Sequence, residues 1–538
     1  MKRDRAVRIW LAAVVSAAAL SAAALAAGPW QYRPSAAERR VLSAISPASL
    51  EAHLSFLSAD ALEGRGNGTP GLDVAAEYIA AAFRGAGLKP AGDDGYFQTT
   101  PRVRLAPATD GFLCRLDLDG GAIDIQPGRF ALVTGPASNS PAVREMRVDD
   151  APVAKVPFDG PYPEKLAESA RTVIMTELPA PPANEAERAA FTTRRNEFLS
   201  RLTALKPALI VEIRRDPGRR IDYFASRQLV DPQLRGKAAP GVPAACLSDG
   251  ASAAAYDSLK PGLTGARFTL RLGAPAEADA PQPNVIGLLQ GSDPELSRSY
   301  VLVTAHYDGQ GARPGPDRVW NSANDNGSGT VAVIELAAAL GALKKPPRRS
   351  IVFIAFHGEE GGLVGSRFYA AHPVFPLEKS VAAINIEMVG RTDDADGSQR
   401  RRASLTGFDY SDLGEVFRLA GLQTGVTVFK HEKNSDSYFG RSDNQPLAAL
   451  GVPAHTICVA FQPPDYHGPA DTWQKIDVEN MAVTVRTIGT ALLAVAQSRV
   501  EPRWNPAQPR ASRYLEAWKT RHPGDGGGAS RSTTQQPR

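Results

Sequence analysis

Cysteine is nearly absent. Cys114, Cys246 and Cys458 are the only three in 538 residues, too few and too dispersed for a disulfide framework or a thiolate metal cluster. A one-sided charge is absent as well: 61 Lys+Arg against 57 Asp+Glu leave +4, too small a surplus for a phosphate-binding surface, so nucleic acid is not an expected partner. Internal repeats are lacking. With 43% hydrophobic, 22% charged and 7% aromatic residues, the chain is neither mostly disordered nor a polytopic membrane protein, and its length allows about two to four domains. Glycine (48) and proline (43) are plentiful, and the prolines crowd 130–185 and 238–283, where loops and edge strands are expected.

Lys2, Arg3, Arg5 and Arg8 precede an apolar run over 9–27 that ends in Ala24-Leu25-Ala26, the small-x-small pattern of a signal-peptidase site. The expectation is a signal peptide over 1–26 and an exported protein, periplasmic or extracellular. An uncleaved anchor is the alternative, since the run is close to the roughly 20 residues that span a bilayer, and it would be the chain's one membrane contact. No cysteine follows the run, which removes a lipoprotein anchor. Residues 522–538 read as a disordered tail.

Residues 48–62 and 71–86 carry apolar positions at helical spacing on either side of the glycine-rich turn GRGNGTPG. Between 105 and 280 the texture is β-rich, with short β-branched runs at 129–133, 172–175, 209–213 and 267–272 and one charged helix at 183–205; this stretch reads as an inserted domain. From Pro283 the pattern is α/β. Strands are predicted at 300–305, 350–356, 381–386 and 454–459, and helices at 327–344, 363–371, 410–420, 444–450 and 478–498. The predicted architecture is a mostly parallel or mixed central sheet with helices on both faces, plus the smaller insert.

In such sheets ligands bind beyond the carboxyl ends of the strands. There the sequence puts His306 and Asp308, then Asp325 at a helix start, Glu359-Glu360, Glu387 and His467. Each has a plain reading: a hydrogen-bonded histidine, a helix cap, carboxylates favoured by a helix dipole. Glu387 closing an apolar strand is harder to excuse, because an unpaired buried carboxylate is costly. Together, two imidazoles and several carboxylates repel one another unless a cation sits among them, and an N/O donor set without thiolate suits zinc, with cobalt or manganese as substitutes.

The segments AHYDGQG, NSANDNGSG, HGEEGGLVGS, INIEMVGR, GRSDNQPLAALGVPA and YHGPADT resemble, in order and spacing, six blocks of the co-catalytic dizinc exopeptidases, which include bacterial leucyl aminopeptidases, aminopeptidase Y and glutamate carboxypeptidase. The resemblance covers about 283–500, and residues 53–92 resemble the family's lead-in. It implies a zinc exopeptidase fold built from 30–104 and 281–505, with the 105–280 insert where members carry a protease-associated domain. It also implies two zinc ions: His306 and Glu387 complete one site, Glu360 and His467 the other, and Asp325 bridges them. Glu359 becomes the general base and Asp308 the carboxylate that orients His306. A cis peptide is expected at Asp325-Asn326. Two departures stand out, Asn444 where the family usually has histidine after Ser442-Asp443, and Glu387 where it usually has aspartate. Tyr438 is a candidate oxyanion donor, and His357, His372, His431 and His455 read as structural or pocket-lining.

The implied activity is removal of N-terminal residues from peptide substrates by a water shared between the metals. Alternatives are a glutaminyl cyclase with one zinc, a receptor-like binding protein with a degenerate site, and a carboxypeptidase, which needs arginines such as Arg313, Arg318, Arg391, Arg400, Arg401 or Arg402 for the terminal carboxylate. The sequence does not specify an oligomeric state.

Overall fold

The chain leaves a sheet at Thr100 and re-enters it at Gln282, and these two residues face each other across an antiparallel ladder. It accordingly divides into two units, one made of Met1–Thr100 with Gln282–Arg538 and the other of Pro101–Pro281. The computed structural model describes residues 30–523, apart from 109, 134–142, 161, 167, 183, 216–220, 223–227, 235–240 and 314–316. The expected signal segment, and the expected tail from residue 524 onward, lie outside the described residues.

The first unit opens with helices α1 (Ala36–Ser43), α2 (Pro47–Leu57) and α3 (Pro70–Gly85) and strands β1 (Lys89–Pro90) and β2 (Phe97–Thr100). After the second unit come β3 (Gln282–Leu289), β4 (Tyr300–His306), α4 (Gly329–Gly341), β5 (Ser350–Phe356), α5 (Val364–Ala371), β6 (Ser380–Ile386) and β7 (Arg402–Leu405). Then follow α6 (Leu413–Thr424), β8 (Thr427–Phe429), α7 (Asn444–Ala449), β9 (Ala454–Cys458), α8 (Val478–Gln497) and α9 (Ser512–Arg521). The sheet order is β1-β3-β5-β4-β6-β9-β7-β8, with β2 on β3. β5, β4, β6 and β9 run parallel, and antiparallel pairs flank them at β3/β5 and β9/β7, so the sheet is mixed.

Strands β5 and β6 are buried along their whole length, as expected where both faces of a parallel sheet are covered. Alternate residues feed two cores. Val301, Val303, Ile351 and Phe353 pack with Leu54, Ile79, Leu336 and Leu492 on one side, while Leu302, Val352, Ile354 and Phe356 pack with Tyr369, Leu447 and Tyr514 on the other. Helix α8 is long and apolar enough to cross a membrane by composition, yet Met481, Val485, Ile488 and Leu492 are buried in the first of these cores. Caps set the helix starts: Ser46 accepts from Ser49 N before Pro47, Thr69 from Leu72 N before Pro70, and Asp477 from Asn480 N.

The second unit has its own sheet. Its core strands are Arg129–Val133, Ala244–Leu247, Leu209–Ile213, Val173–Glu177, Met146–Lys155, Gly262–Leu272 and Leu113–Leu118 in that order, and Val153, Met175, Val211 and Phe268 lie at its centre. The charged helix Glu185–Ala204 buries Phe198 and Leu202 against Phe158 and Ile174.

Because Thr100 and Gln282 are ladder partners, a two-residue Asn-Gly turn can join them directly. A chain with 101–281 replaced by that turn is expected to fold as the first unit, with one cooperative thermal transition by circular dichroism. Aggregation or a non-cooperative melt would show that the first unit depends on the second.

Candidate metal centre

Five chain segments deliver charged side chains to the carboxyl edge of the parallel strands. β4 ends in His306, which is fully buried; its Nδ1 lies 3.3 Å from the Asp308 carbonyl and 3.5 Å from Asp308 Oδ1. The buried Asp308 carboxylate also accepts the backbone N–H groups of Glu359 (3.1 Å) and Glu360 (3.2 Å) and the Asn67 amide (2.8 Å). One side chain therefore orients an imidazole and fixes the turn that follows β5.

Asp325 stands between the two histidines, its Oδ1 3.4 Å from His306 Nε2 and its Oδ2 3.0 Å from His467 Nε2. The Asp325–Asn326 peptide is cis, and this irregular turn occupies 323–328, so regular α4 begins at Gly329 rather than at the predicted 327. Neighbours hold the turn rigidly. Asp471 accepts from Asn324 N at 2.9 Å and Asp325 N at 3.1 Å. Asn326 accepts from Gly329 N and Met388 N and donates to Ile386 O, tying it to the strand end that carries Glu387. Gly329 is required there, since a Cβ would sit 2.2 Å from Ile386 O.

Two groups of donors result, His306–Asp325–Glu387 and Asp325–Glu360–His467, each with its ligand atoms within 4.8 Å of one another. Three of those atoms, His306 Nε2, Glu360 Oε1 and Glu387 Oε2, are buried without a hydrogen-bond partner. Glu359 belongs to neither group. It lines, with Asp325, Glu360, Glu387 and His467, a cavity of about 360 Å³ whose other walls include Met388, Cys458, Phe461, Tyr438 and Tyr466.

Burial dominates the electrostatics. It pushes Glu360 and Glu387 up to about 7, with the Asp325 charge adding to both, and Asp443 likewise to about 7. It pushes Glu359 well above the carboxylate range, against the pull of His306. Burial works against His306, but Glu359, Asp308 and Asp325 overcome it and raise the imidazole well above its usual value. Asp325 goes the other way: the two imidazoles beside it, His306 and His467, outweigh burial and hold it well below the ordinary range. Acid in this excess over base calls for cations.

The other nominated residues lie elsewhere or do other work. His357 contacts Thr100 Oγ1, His455 bridges Ser411 Oγ and Thr406 O, His431 faces Asp396 and His372 contacts Phe368 O. Asn444 accepts from Thr456 and donates to Phe439 O, so the departure from histidine serves a buried network. Arg391 pairs with Asp393 and Asp465, and Arg400 with Asp477, which takes them away from any substrate. Sequence reasoning gave no site role to Asn67, Asn326 or Asp471, although Asn326 was named in the expected cis peptide and Asp471 lies within the segment YHGPADT.

Residues 284–492 match the family model described as Peptidase family M28. The chain is 29% identical over 237 residues to aminopeptidase YwaD of Bacillus subtilis, covering 42% of this chain and 48% of that one, so it spans about half of that relative. It is 24% identical over 526 residues to the "Probable lipoprotein aminopeptidase LpqL" of Mycobacterium tuberculosis, covering 90% and 92%. The chain also shares its fold with solved structures. An aminopeptidase from Aneurinibacillus sp. strain AM-1 superposes with TM-score 0.55 at 18% identity, covering 88% of this chain and 98% of that one. The Bacillus subtilis zinc aminopeptidase BSAP gives 0.52 at 20%, covering 88% and 99%.

Glu360, Glu387 and Asp443 titrate at about 7 when folded and metal-free, but near 4 when unfolded, so between roughly pH 4 and 7 the folded state binds more protons and loses stability as pH rises. The raised His306 acts in the same direction at higher pH. Asp325 and Asp308, both lowered, stabilise above the unfolded carboxylate range and lose that contribution in acid. The metal-free protein is therefore expected to melt highest near pH 5 (about 1 unit above the unfolded carboxylates) and progressively lower toward pH 8. Zinc should raise Tm more at pH 8 than at pH 5, because it replaces protons. Scanning calorimetry across this range checks both; a metal-free Tm that climbs with pH would contradict the assignment.

Proposed function

We propose that the chain is an exported zinc exopeptidase, an aminopeptidase that removes N-terminal residues from peptides at a site holding two zinc ions. The observation that carries the reading is the pair of donor groups sharing Asp325, with Glu359 beside both and in neither. The atoms His306 Nε2, Glu360 Oε1 and Glu387 Oε2 fit that use, since each is buried in the cluster without a hydrogen bond. His306, Glu387 and Asp325 would hold one ion, and Asp325, Glu360 and His467 the other. When bound, such a pair polarises a peptide carbonyl and draws the pKa of a water toward neutrality.

The rest falls to the protein. Glu359 faces the cavity with its backbone N–H fixed on Asp308, so its carboxylate is placed to take the proton from the attacking water and hand it to the leaving amine. Asp308 keeps the His306 tautomer with Nδ1 turned away from the metal side. Met388, Cys458 and Phe461, with Tyr438 and Tyr466 packed on them, form an apolar wall suited to an apolar N-terminal side chain. Tyr438 lines the same cavity, its hydroxyl accepting from Gln462 Nε2 at 2.8 Å, and is the oxyanion donor in this proposal.

Similarity to relatives named as aminopeptidases supports the direction of cleavage. A carboxypeptidase reading would rest on Arg441, which lines the cavity against the Tyr438 ring. A one-metal cyclase leaves one of the two donor groups without a purpose, and a degenerate binding protein would not keep the whole donor set. Export rests on the leader-like residues 2–27, and the Mycobacterium relative is described as a lipoprotein.

Glu359→Gln is expected to keep both zinc ions and lower kcat by at least about 10²-fold, whereas Glu360→Gln should lose zinc. Elemental analysis beside steady-state kinetics reads this out, and equal zinc loss in the two variants would refute the division of roles. A peptide with a free N-terminus should be cleaved far faster than its acetylated form, because acetylation removes the amine lone pair that the second metal site can accept. Mass spectrometry of products showing equal cleavage of both, or loss from the C-terminus, would move the assignment to the Arg441 reading.

A further inference from the structure

The glycine-rich turn between α2 and α3 has no part in the donor groups, yet it carries the most buried arginine among the described residues of the unit. Arg65 is 0% exposed. Its guanidinium donates from Nε to Tyr307 O at 2.8 Å, from Nη1 to Asn321 O at 2.9 Å and to Leu57 O, and from Nη2 to Ser322 O at 2.6 Å. All four acceptors are backbone carbonyls, and among the described residues no carboxylate forms an ion pair with it. Tyr307 lies between His306 and Asp308, and Ser322 three residues before Asp325, so the fork spans the two segments that supply the His306 imidazole and the bridging carboxylate.

The turn is built for this insertion. Glu63, Gly64 and Arg65 all have left-handed φ values (49°, 65° and 50°), a conformation that is held only where the surroundings enforce it. A Cβ at position 64 would lie 2.3 Å from Trp320 O, so only glycine allows the turn to press against 320–322. Arg65 O accepts from Gly309 N at 3.1 Å, and Asn67 Nδ2 reaches Asp308 Oδ2 at 2.8 Å.

We propose that the turn 64–67 is a positioning element of the metal centre, in which Arg65 locks the segments bearing His306 and Asp325 and supplies a buried positive charge, while Asn67 fixes the Asp308 carboxylate. This rests on the two-zinc reading above. A buried cation without an ion pair is costly unless its donors are satisfied and the local field is negative. Both conditions are met: four carbonyls take up the fork, and Asp471, Asp308, Asp325 and Glu360 all favour the charge. Burial draws the guanidinium down to about 10 against those four acids, which leaves it cationic at neutral pH. Arginine is demanded by geometry, since its rigid fork reaches carbonyls on three segments where an ammonium offers donors at a single point.

The test uses full-length, zinc-loaded protein and reads zinc affinity by chelator competition, with Tm of the metal-stripped protein measured alongside. Arg65→Met is expected to weaken zinc binding about 10–100-fold, the usual scale for removing an outer-shell partner, and Arg65→Lys to recover part of that loss. Asn67→Leu, which leaves the Arg65 contacts in place, should weaken zinc about 10-fold with little change in the metal-free Tm. If Arg65→Met fails to fold, the Lys and Asn67 variants carry the test. Wild-type zinc affinity in Arg65→Lys and Asn67→Leu, whatever their Tm, would overturn the proposal and leave the turn a brace of the fold. Wild-type protein that binds no zinc would overturn the two-zinc reading and this one together, whereas unchanged variants of a zinc-binding wild type would sink this one alone.

Discussion

An excess of buried negative charge is the constraint on which the first unit depends. Asp308, Asp325, Glu359, Glu360, Glu387, Asp443 and Asp471 gather at one sheet edge, with His306, His467 and the buried Arg65 among the cations beside them. In a low-dielectric setting such a cluster is tolerable in three ways: protonation, hydrogen bonding or bound cations. The structure uses the second wherever it can. Asp308 accepts four contacts and Asp471 three, and Asp325 sits between two imidazoles. Hydrogen bonding leaves Glu360 Oε1, Glu387 Oε2 and both Asp443 oxygens over, and the two glutamates are the part that the proposed zinc pair would use.

Such a cluster holds only if the backbone beneath it is rigid. The parallel register from Tyr300↔Ser350 to His306↔Phe356 brings β4 and β5 to the same edge, and β6 ends beside them at Ile386. Short polar side chains then stitch the strand ends together. Thr304 donates to Asn385, Asn385 donates to Ser442 and Thr456, and Asn324 accepts from Gly390 N and Arg391 N. Buried asparagines bonded in this way favour one arrangement, because an alternative would leave further amide groups unpaired in the interior.

These levels were unequally legible in the sequence. β4, β5 and β6 could be read because strands covered on both faces must be apolar without alternation, and Glu387 stood out because it broke that rule. β7 and β8 could not be read: Arg402–Leu405 and Thr427–Phe429 are too short to show a period. Residues 323–328 looked like the first turn of a helix because Asp-Asn-Gly is also a cap signal, and only the backbone separates the two. Arg65, Asn67 and Asp471 were invisible for a different reason. Their partners are mainly backbone groups, or a carboxylate far along the chain, so no pattern of residue types announces them.

Asp308 shows how closely the parts are coupled. One of its carboxylate oxygens takes the Glu359 N–H and lies near His306 Nδ1, while the other takes the Glu360 N–H and the Asn67 amide. Adjacent glutamates can then do different work, since their peptide groups are pinned to opposite oxygens of one side chain in a turn that Gly358, at φ 70°, allows. The same arrangement joins the ligand of one proposed metal, the ligand of the other and the proposed base through a single residue. Changes at Asp308, Asn67 and Glu359 share that residue, so their effects should not add, and a double-mutant cycle between any two reports the coupling rather than two separate contributions. The carboxylate two residues after His306 is in this sense less an accessory to the histidine than the hinge on which both donor groups and the base are set.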